Sequence, residues 1–297
     1  TGTISAVNTA VKAFTSPGDG IVLQAPSYYR FDRAIRNQGR KVVYNPMICE
    51  NGGYRIDFEH LRKCCELPEN TMLLICSPHN PTGRVFTESE LQEMASIARE
   101  NNMIIFCDEI FGEMVMEGYT FYSLLGVSKK GSIVSTSLGK SFNFTGVNQA
   151  NLLIRDPDVR AVFKEQQRKD HIGSIDPFFY NALCAAYTEE GYLWIREICS
   201  LVKRNENRIR AFCSAEMPLI RPLPLEGGFI LWMDMRGLGL EDRELQQFME
   251  QEANVIGDPG CEYGSCGKGF YRLQIAASEE KIIRMLEQMK KAYVRRS

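Results

Sequence analysis

Three polar groups stand out because each follows a short apolar run and each is of a type that can do chemistry. The first is the turn Asn80-Pro81-Thr82-Gly83, and the second is the acidic pair Asp108-Glu109. The third is Lys140, within Ser135-Thr136-Ser137-Leu138-Gly139-Lys140-Ser141-Phe142-Asn143. A lysine held among small and aromatic residues near a phosphate can have its amine pKa lowered and form an imine. A carboxylate at Asp108, set opposite a ring nitrogen, keeps that nitrogen protonated, so the ring can accept carbanion charge. The Asn80 amide can donate to a phenolic oxygen. Taken together, an imine-forming lysine, an acid for a pyridinium nitrogen and an amide for an aromatic oxygen are what a pyridoxal 5'-phosphate (PLP) site needs from its protein.

Each residue also has a plainer reading. Lys140 alone reads as a surface lysine in a loop, Asp108 as an N-cap, and Asn80 before proline as a turn former. Burying a carboxylate after Ile104-Ile105-Phe106-Cys107 is unfavourable unless it is paired, which favours a functional role. Tyr28, after Pro26 at another strand end, offers a ring to stack on a cofactor, or a core or rim tyrosine. Thr3 and Ile4 open the first helix, where free backbone N–H groups and the dipole suit a phosphate. Arg272, between Phe270 and Leu273 in a predicted strand, is either a fork for a substrate carboxylate or half of a structural ion pair.

The elements that position these residues alternate between short apolar runs and helical periodicities. Helical spacing covers Ile4 to Phe14, Tyr29 to Asn37 and the segment capped by Asp57 through Cys65. Thr87-Glu88-Ser89-Glu90 is a capping box for a helix ending near Asn101. Strands are predicted over Ile21 to Gln24, Lys41 to Tyr44, Met72 to Cys76, Met103 to Cys107 and Ser132 to Ser137. From about Pro177 a long helical pattern runs through Cys213. The strand Gly228 to Met233, a helix from Glu241 to Glu252, the strand Tyr271 to Ile275 and a helix from Ser278 follow. This predicts an α/β chain with a three-layer αβα large domain and mostly parallel sheet over residues 1–185, and a smaller α+β domain over 186–297. In such sheets ligands sit outside the carboxyl ends of the strands, where the polar groups fall.

Composition bounds the rest. The 297 residues are 44% hydrophobic and 24% charged, with a formal net charge of −2. No basic excess argues for nucleic acid or an anionic membrane, and apolar runs such as Phe229 to Trp232 are too short to span a bilayer. The ten cysteines and three histidines lack metal-ligand or staple spacing, so reduced thiols in a cytoplasmic protein without a metal site are expected. Gly264-Ser265-Cys266-Gly267-Lys268-Gly269 hints at a phosphate loop. It lacks the first glycine and the Ser/Thr after the lysine that a P-loop needs, and no dinucleotide-binding glycine fingerprint follows the first strand.

With these residues assembled, the chain resembles a fold-type-I PLP enzyme of the class I/II aminotransferase superfamily, nearest the C–S lyase or cystathionine β-lyase (MalY/PatB) branch. Ser77-Pro78-His79-Asn80-Pro81-Thr82-Gly83-Arg84-Val85-Phe86-Thr87 is similar to that branch's asparagine loop, and Lys140-Ser141-Phe142-Asn143-Phe144-Thr145-Gly146 to its lysine motif. Pro259-Gly260, Tyr263-Gly264 and Gly269-Phe270-Tyr271-Arg272-Leu273 resemble its carboxylate-arginine segment. Ala13-Phe14-Thr15 and Pro17-Gly18-Asp19 also fit. The likeness covers essentially the whole chain.

The resemblance implies that Lys140 carries the cofactor imine and moves the substrate proton, Asp108 meets the pyridine nitrogen, Asn80 the ring oxygen, and Tyr28 the ring face. It further implies that Thr3, Ile4 and Ser137 help to hold the phosphate, and that Arg272 takes the α-carboxylate of a small amino-acid substrate. The implied activity is β-elimination from cystathionine- or cysteine-type substrates, giving thiol, pyruvate and ammonia. Transamination is the alternative, and a catalytically impaired PLP-binding or regulatory protein is a third reading. Phe111 stands where the family usually has Tyr or His. Asn148 stands where aminotransferases have an arginine that the lyase branch also lacks. Family members begin before residue 1, so the chain is expected to be a truncated member. The absent segment would contribute to the small domain, to the homodimer contact and to a tyrosine reaching the partner's cofactor phosphate.

Overall fold

Apolar runs too short for helices become strands here, and the amphipathic segments between them cover the sheet. The computed structural model describes residues 2–50, 52–146, 149–173 and 175–296. Helix α1 (Thr3–Phe14) leads into β1 (Gly20–Ala25), α2 (Tyr29–Arg36), β2 (Lys41–Pro46) and a hairpin of β3 (Ile48–Glu50) and β4 (Gly53–Arg55). Next come α3 (Phe58–Cys65), β5 (Asn70–Cys76), α4 (Glu88–Glu100), β6 (Ile104–Asp108), α5 (Leu124–Val127) and β7 (Ser132–Thr136). The short α6 (Leu138–Ser141), β8 (Asn151–Leu153) and α7 (Pro157–Lys169) complete this part.

Six of these strands form one sheet in the order β2-β1-β5-β6-β7-β8. All neighbours are parallel except β7 and β8, which pair antiparallel. Every residue of β1 is buried, as expected where helices cover both faces. Val22, Leu73, Ile75 and Ile105 pack with Leu61 of α3 and Leu91 and Met94 of α4. Ile21, Leu23, Leu74 and Phe106, one residue out of phase, pack with Val11 of α1 and Ile35 of α2. The strand order reverses between β1 and β5, which opens the crevice at their carboxyl ends that binds ligands in open α/β sheets. The α/β fold with a mostly parallel covered sheet is therefore as expected.

The remaining elements are α8 (Pro177–Ala186), α9 (Glu189–Glu216), β9 (Arg221–Pro222), β10 (Ile230–Asp234), α10 (Asp242–Gln247), β11 (Asp258–Pro259), β12 (Phe270–Gln274) and α11 (Glu279–Arg296). The strands form an antiparallel sheet in the order β11-β12-β10-β9. Leu231, Met233 and Leu273 pack there against Val202 and Ile209 of α9 and Leu286 and Met289 of α11. A seam joins the two sheets at Gly83, whose carbonyl accepts from Glu226 N–H at 3.0 Å and Gly227 N–H at 2.9 Å. Gly83 has φ +73°, and a Cβ there would lie 2.6 Å from Leu225 Cδ1, so glycine is required.

Local signals hold where a side chain closes an orphan backbone group. Asp57 accepts from His60 N–H at 2.9 Å, and Thr87 with Glu90 forms the expected capping box. The long helical pattern after Pro177 is instead two helices. Thr188 caps the second through Gly191 N–H at 3.2 Å, and a Cβ on Gly191 would lie 1.8 Å from the Ala186 carbonyl oxygen. The predicted helix Glu241 to Glu252 turns π-helical over Phe248–Glu252.

Candidate active site

The loops after four parallel strands meet at one cavity of about 770 Å³, a size that takes a cofactor together with a small substrate. Tyr28 comes from the β1 end, Asn80 from β5, Asp108 from β6, and Ser137 and Lys140 from the β7 end. Thr3 and Ile4 reach the cavity from the start of α1, and Arg272 comes from β12 of the second sheet. All eight sequence-derived residues line this one space.

Asp108 ends β6 and is only 2% exposed. Ile110 N–H donates to its Oδ1 at 3.3 Å, a local bond of the kind the N-cap reading foresaw. Burial still dominates and pushes its carboxyl up from 3.8 to about 7, with the Lys140 charge pulling the other way. A carboxyl raised by burial and facing a cavity is one that a protonated ring nitrogen would relieve. Glu109, its neighbour, is also buried and raised, but accepts from Leu124 N–H at 2.8 Å and so anchors the following loop.

Lys140 lies on the last turn of α6. Its amine has no hydrogen-bond partner among the described residues. Burial lowers its pKa first, and the charge of Arg272 lowers it further, with Asp108 opposing and Arg30 adding a smaller push. Both effects favour the neutral, nucleophilic amine. The α6 turn is held by Ser137, which accepts from Gly139 N–H at 3.1 Å and donates to the Gln149 carbonyl at 2.9 Å. Ser141 donates to Glu113 at 2.6 Å, fixing the far side of the same turn.

Arg272 forms the structural ion pair that was one of its two readings, and it does so while lining the cavity. Its Nε and Nη2 hold Asp258 Oδ2 at 2.9 and 2.6 Å, an ion pair across β11 and β12. Its Nη1 donates to Asn80 Oδ1 at 3.1 Å. A guanidinium can only donate, so the Asn80 oxygen faces Arg272 and its NH₂ is left to donate elsewhere. That is the orientation an aromatic oxygen acceptor in the cavity requires. His79, fully buried and lowered to about 3 by desolvation, bonds Thr82 Oγ1 at 2.8 Å and stiffens the turn that carries Asn80.

At the opposite chemistry, the first turn of α1 has no side-chain cap at Gly2 and no acidic residue. Its free N–H groups and positive dipole end suit an anion. Thr3 Oγ1 accepts from Ser135 at 3.2 Å, tying this terminus to β7. One buried carboxyl outside any ion pair, one lysine amine without a hydrogen-bond partner among the described residues, one oriented amide donor and one uncapped helix terminus therefore match PLP in the chemistry of the donor set.

The sequence profile of the class I and II aminotransferases matches residues 1–289. The chain belongs to this family. Among its curated relatives, cystathionine beta-lyase PatB of Bacillus subtilis is 33% identical over 280 residues, covering 93% of this chain and 72% of PatB. Aromatic-amino-acid aminotransferase 2 of Thermococcus litoralis is 25% identical, covering 98% of this chain and 74% of that one. Cystalysin of Treponema denticola, whose crystal structure contains a PLP cofactor, superposes with a TM-score of 0.94 at 33% identity. That match covers 98% of this chain and 74% of cystalysin.

Within this family member, the sequence left part of the cavity unassigned. Met114, Ile198, Phe229 and Trp194 form much of an apolar wall, joined by Phe111. Phe111 is buried and packs edge-on against Phe229 with ring centroids 5.4 Å apart. Arg30 also lines the cavity. The apolar periodicity of α9 marks Ile198 as core-facing, but nothing local tells that its neighbours face a cavity. Asn148 lies outside the described residues. Among those residues no cluster could hold a metal and no helix is long and apolar enough to cross a membrane.

Proposed function

We propose that this chain is a PLP-dependent C–S β-lyase acting on small L-amino acids. The observation that carries the reading is the meeting of Lys140, Asp108 and Asn80 in one cavity, in a family whose relatives include PatB and cystalysin. When bound, PLP supplies an electron sink for negative charge at the substrate α-carbon. Lys140 would hold it covalently, with Asp108 at the ring nitrogen, the Asn80 NH₂ at the ring oxygen and Tyr28 at the ring face. The α1 terminus, through Thr3 and Ile4, would take the phosphate, while Ser137 keeps the α6 turn in place.

The residues divide the work by charge. Arg272, steadied by Asp258, orients a substrate carboxylate. The Lys140 amine, held below the ordinary lysine range by burial, would take the α-proton. The apolar wall of Phe111, Met114, Ile198 and Phe229 excludes water from the β-carbon, where the C–S bond breaks. Net, an S-substituted cysteine and one water become a thiol, pyruvate and ammonium. Transamination is the second reading, favoured by the family itself and by the Thermococcus relative. Thiol and pyruvate released without a keto-acid co-substrate would set it aside.

We further place the working protein in the cytoplasm, as a homodimer. All ten cysteines are unpaired, and Phe178, Tyr180, Tyr192 and Trp194 expose a large aromatic surface on α8 and the start of α9. The test of the functional reading is a visible absorption titration with PLP. Wild type should develop a saturable band that Lys140→Ala lacks, and turnover of S-substituted cysteines should vanish with it. An identical titration in both proteins refutes the assignment.

A further inference from the structure

Among the described residues three cations line the cavity, and their surroundings differ. Arg272 is paired with Asp258 at 2.6 Å, and Lys140 feels the opposing charge of Asp108. Arg30, the second residue of α2, has no carboxylate within ion-pair distance among the described residues. Its guanidinium carbon instead lies 6.0 Å from the centroid of the Tyr29 ring. The other arginines of α2 are engaged away from the cavity lining, Arg33 4.8 Å from the same centroid and Arg36 on Asp32 at 2.6 Å. Among the described residues Asp108 is the one acidic residue lining the cavity, so no other carboxylate there competes for Arg30, which is engaged by the Tyr29 side chain.

We propose that Arg30 is an anion-binding residue of this cavity, taking an oxyanion that arrives with the ligand. The inference rests on the proposed function and adds a residue to it. Two sources carry the same chemistry: the phosphate of PLP and a carboxylate at the far end of the substrate side chain. A guanidinium suits either, because its planar fork matches two oxygens at once. Its charge already reaches into the site, where it adds to the lowering of Lys140 and opposes the burial that raises the Tyr28 hydroxyl. Arg30 is itself exposed, so its replacement leaves the core intact.

The experiment compares wild type, Arg30→Gln and Arg30→Lys in the full chain. One arm titrates each with PLP and with pyridoxal, which lacks the phosphate. The other measures equilibrium binding of S-(2-carboxyethyl)-L-cysteine and S-propyl-L-cysteine to the PLP-loaded proteins. If Arg30 holds the phosphate, R30Q weakens PLP about tenfold and leaves pyridoxal unchanged, and R30K restores part of the loss. If it holds the distal carboxylate, PLP binding is unchanged and only the carboxyethyl compound weakens. Either result supports the proposal. R30Q within twofold of wild type for all four ligands overturns it alone, whereas a wild-type chain that takes up no PLP overturns the proposed function and this inference together.

Discussion

Asp108→Asn should make the cofactor-free protein more stable at neutral pH while disabling it. The carboxyl is raised from 3.8 to about 7 because burial outweighs the Ile110 N–H bond and the pull of the Lys140 charge. An acid raised in this way binds its proton more tightly folded than unfolded. Relative to an uncharged side chain, the folded state therefore loses stability as pH climbs from the unfolded value through the folded one. A rise of about three units corresponds to about 4 kcal/mol, at about 1.4 kcal/mol per unit. Asparagine has nearly the same shape and cannot ionise, so it escapes that penalty. Denaturant unfolding of both apoproteins from pH 5 to 8 isolates the effect, because other titrations cancel in the difference. D108N should gain on wild type by about 1.4 kcal/mol per pH unit up to pH 7 and level off above it. Adding PLP should reverse the ranking, since a pyridinium gives Asp108 its missing counter-charge. A stability difference flat with pH, or a cofactor gain equal in both proteins, would refute the reasoning.

Asn80→Asp keeps an oxygen for Arg272 but removes the amide donor, so PLP affinity should fall about tenfold with little change in melting temperature; titration and a thermal melt check both. Lys140 is lowered by burial and by Arg272, so the rate of pyridoxal uptake should rise with pH to a midpoint below the ordinary lysine value of 10.5. A midpoint at or above that value contradicts the electrostatic argument. Thr87→Ala opens the capping box of α4 and should cost about 1 kcal/mol in denaturant unfolding, leaving PLP affinity where it was.

Much of the fold was legible because its signals are local. Buried strands carry uninterrupted apolar runs, and Asp57 and Thr87 announce their helices by hydrogen bonds three residues long. That Asn80, Asp108 and Lys140 line one cavity was legible for a related reason: a polar group just after such a run has few ordinary places to go. Other features depend on distant partners. The break between α8 and α9 needs the approach of the Ala186 carbonyl to Gly191, which no periodicity reveals. The β3–β4 hairpin went unassigned although Gly52-Gly53 is a turn signal, because its strands are only three residues each. Trp194 and Met114 read as ordinary apolar residues, and only the folded chain sets them around the same cavity as Lys140.

The seam at Gly83 joins the asparagine turn to the second half of the chain. Glu226 accepts from Val85 N–H at 2.8 Å and Arg272 holds Asn80 at 3.1 Å, so the asparagine turn is bolted to the four-stranded sheet at both ends. The position of the Asn80 amide is therefore set by the second sheet as well as by the strand that carries it. Removing Asp258, which holds Arg272 at 2.6 Å, acts on that amide without touching it.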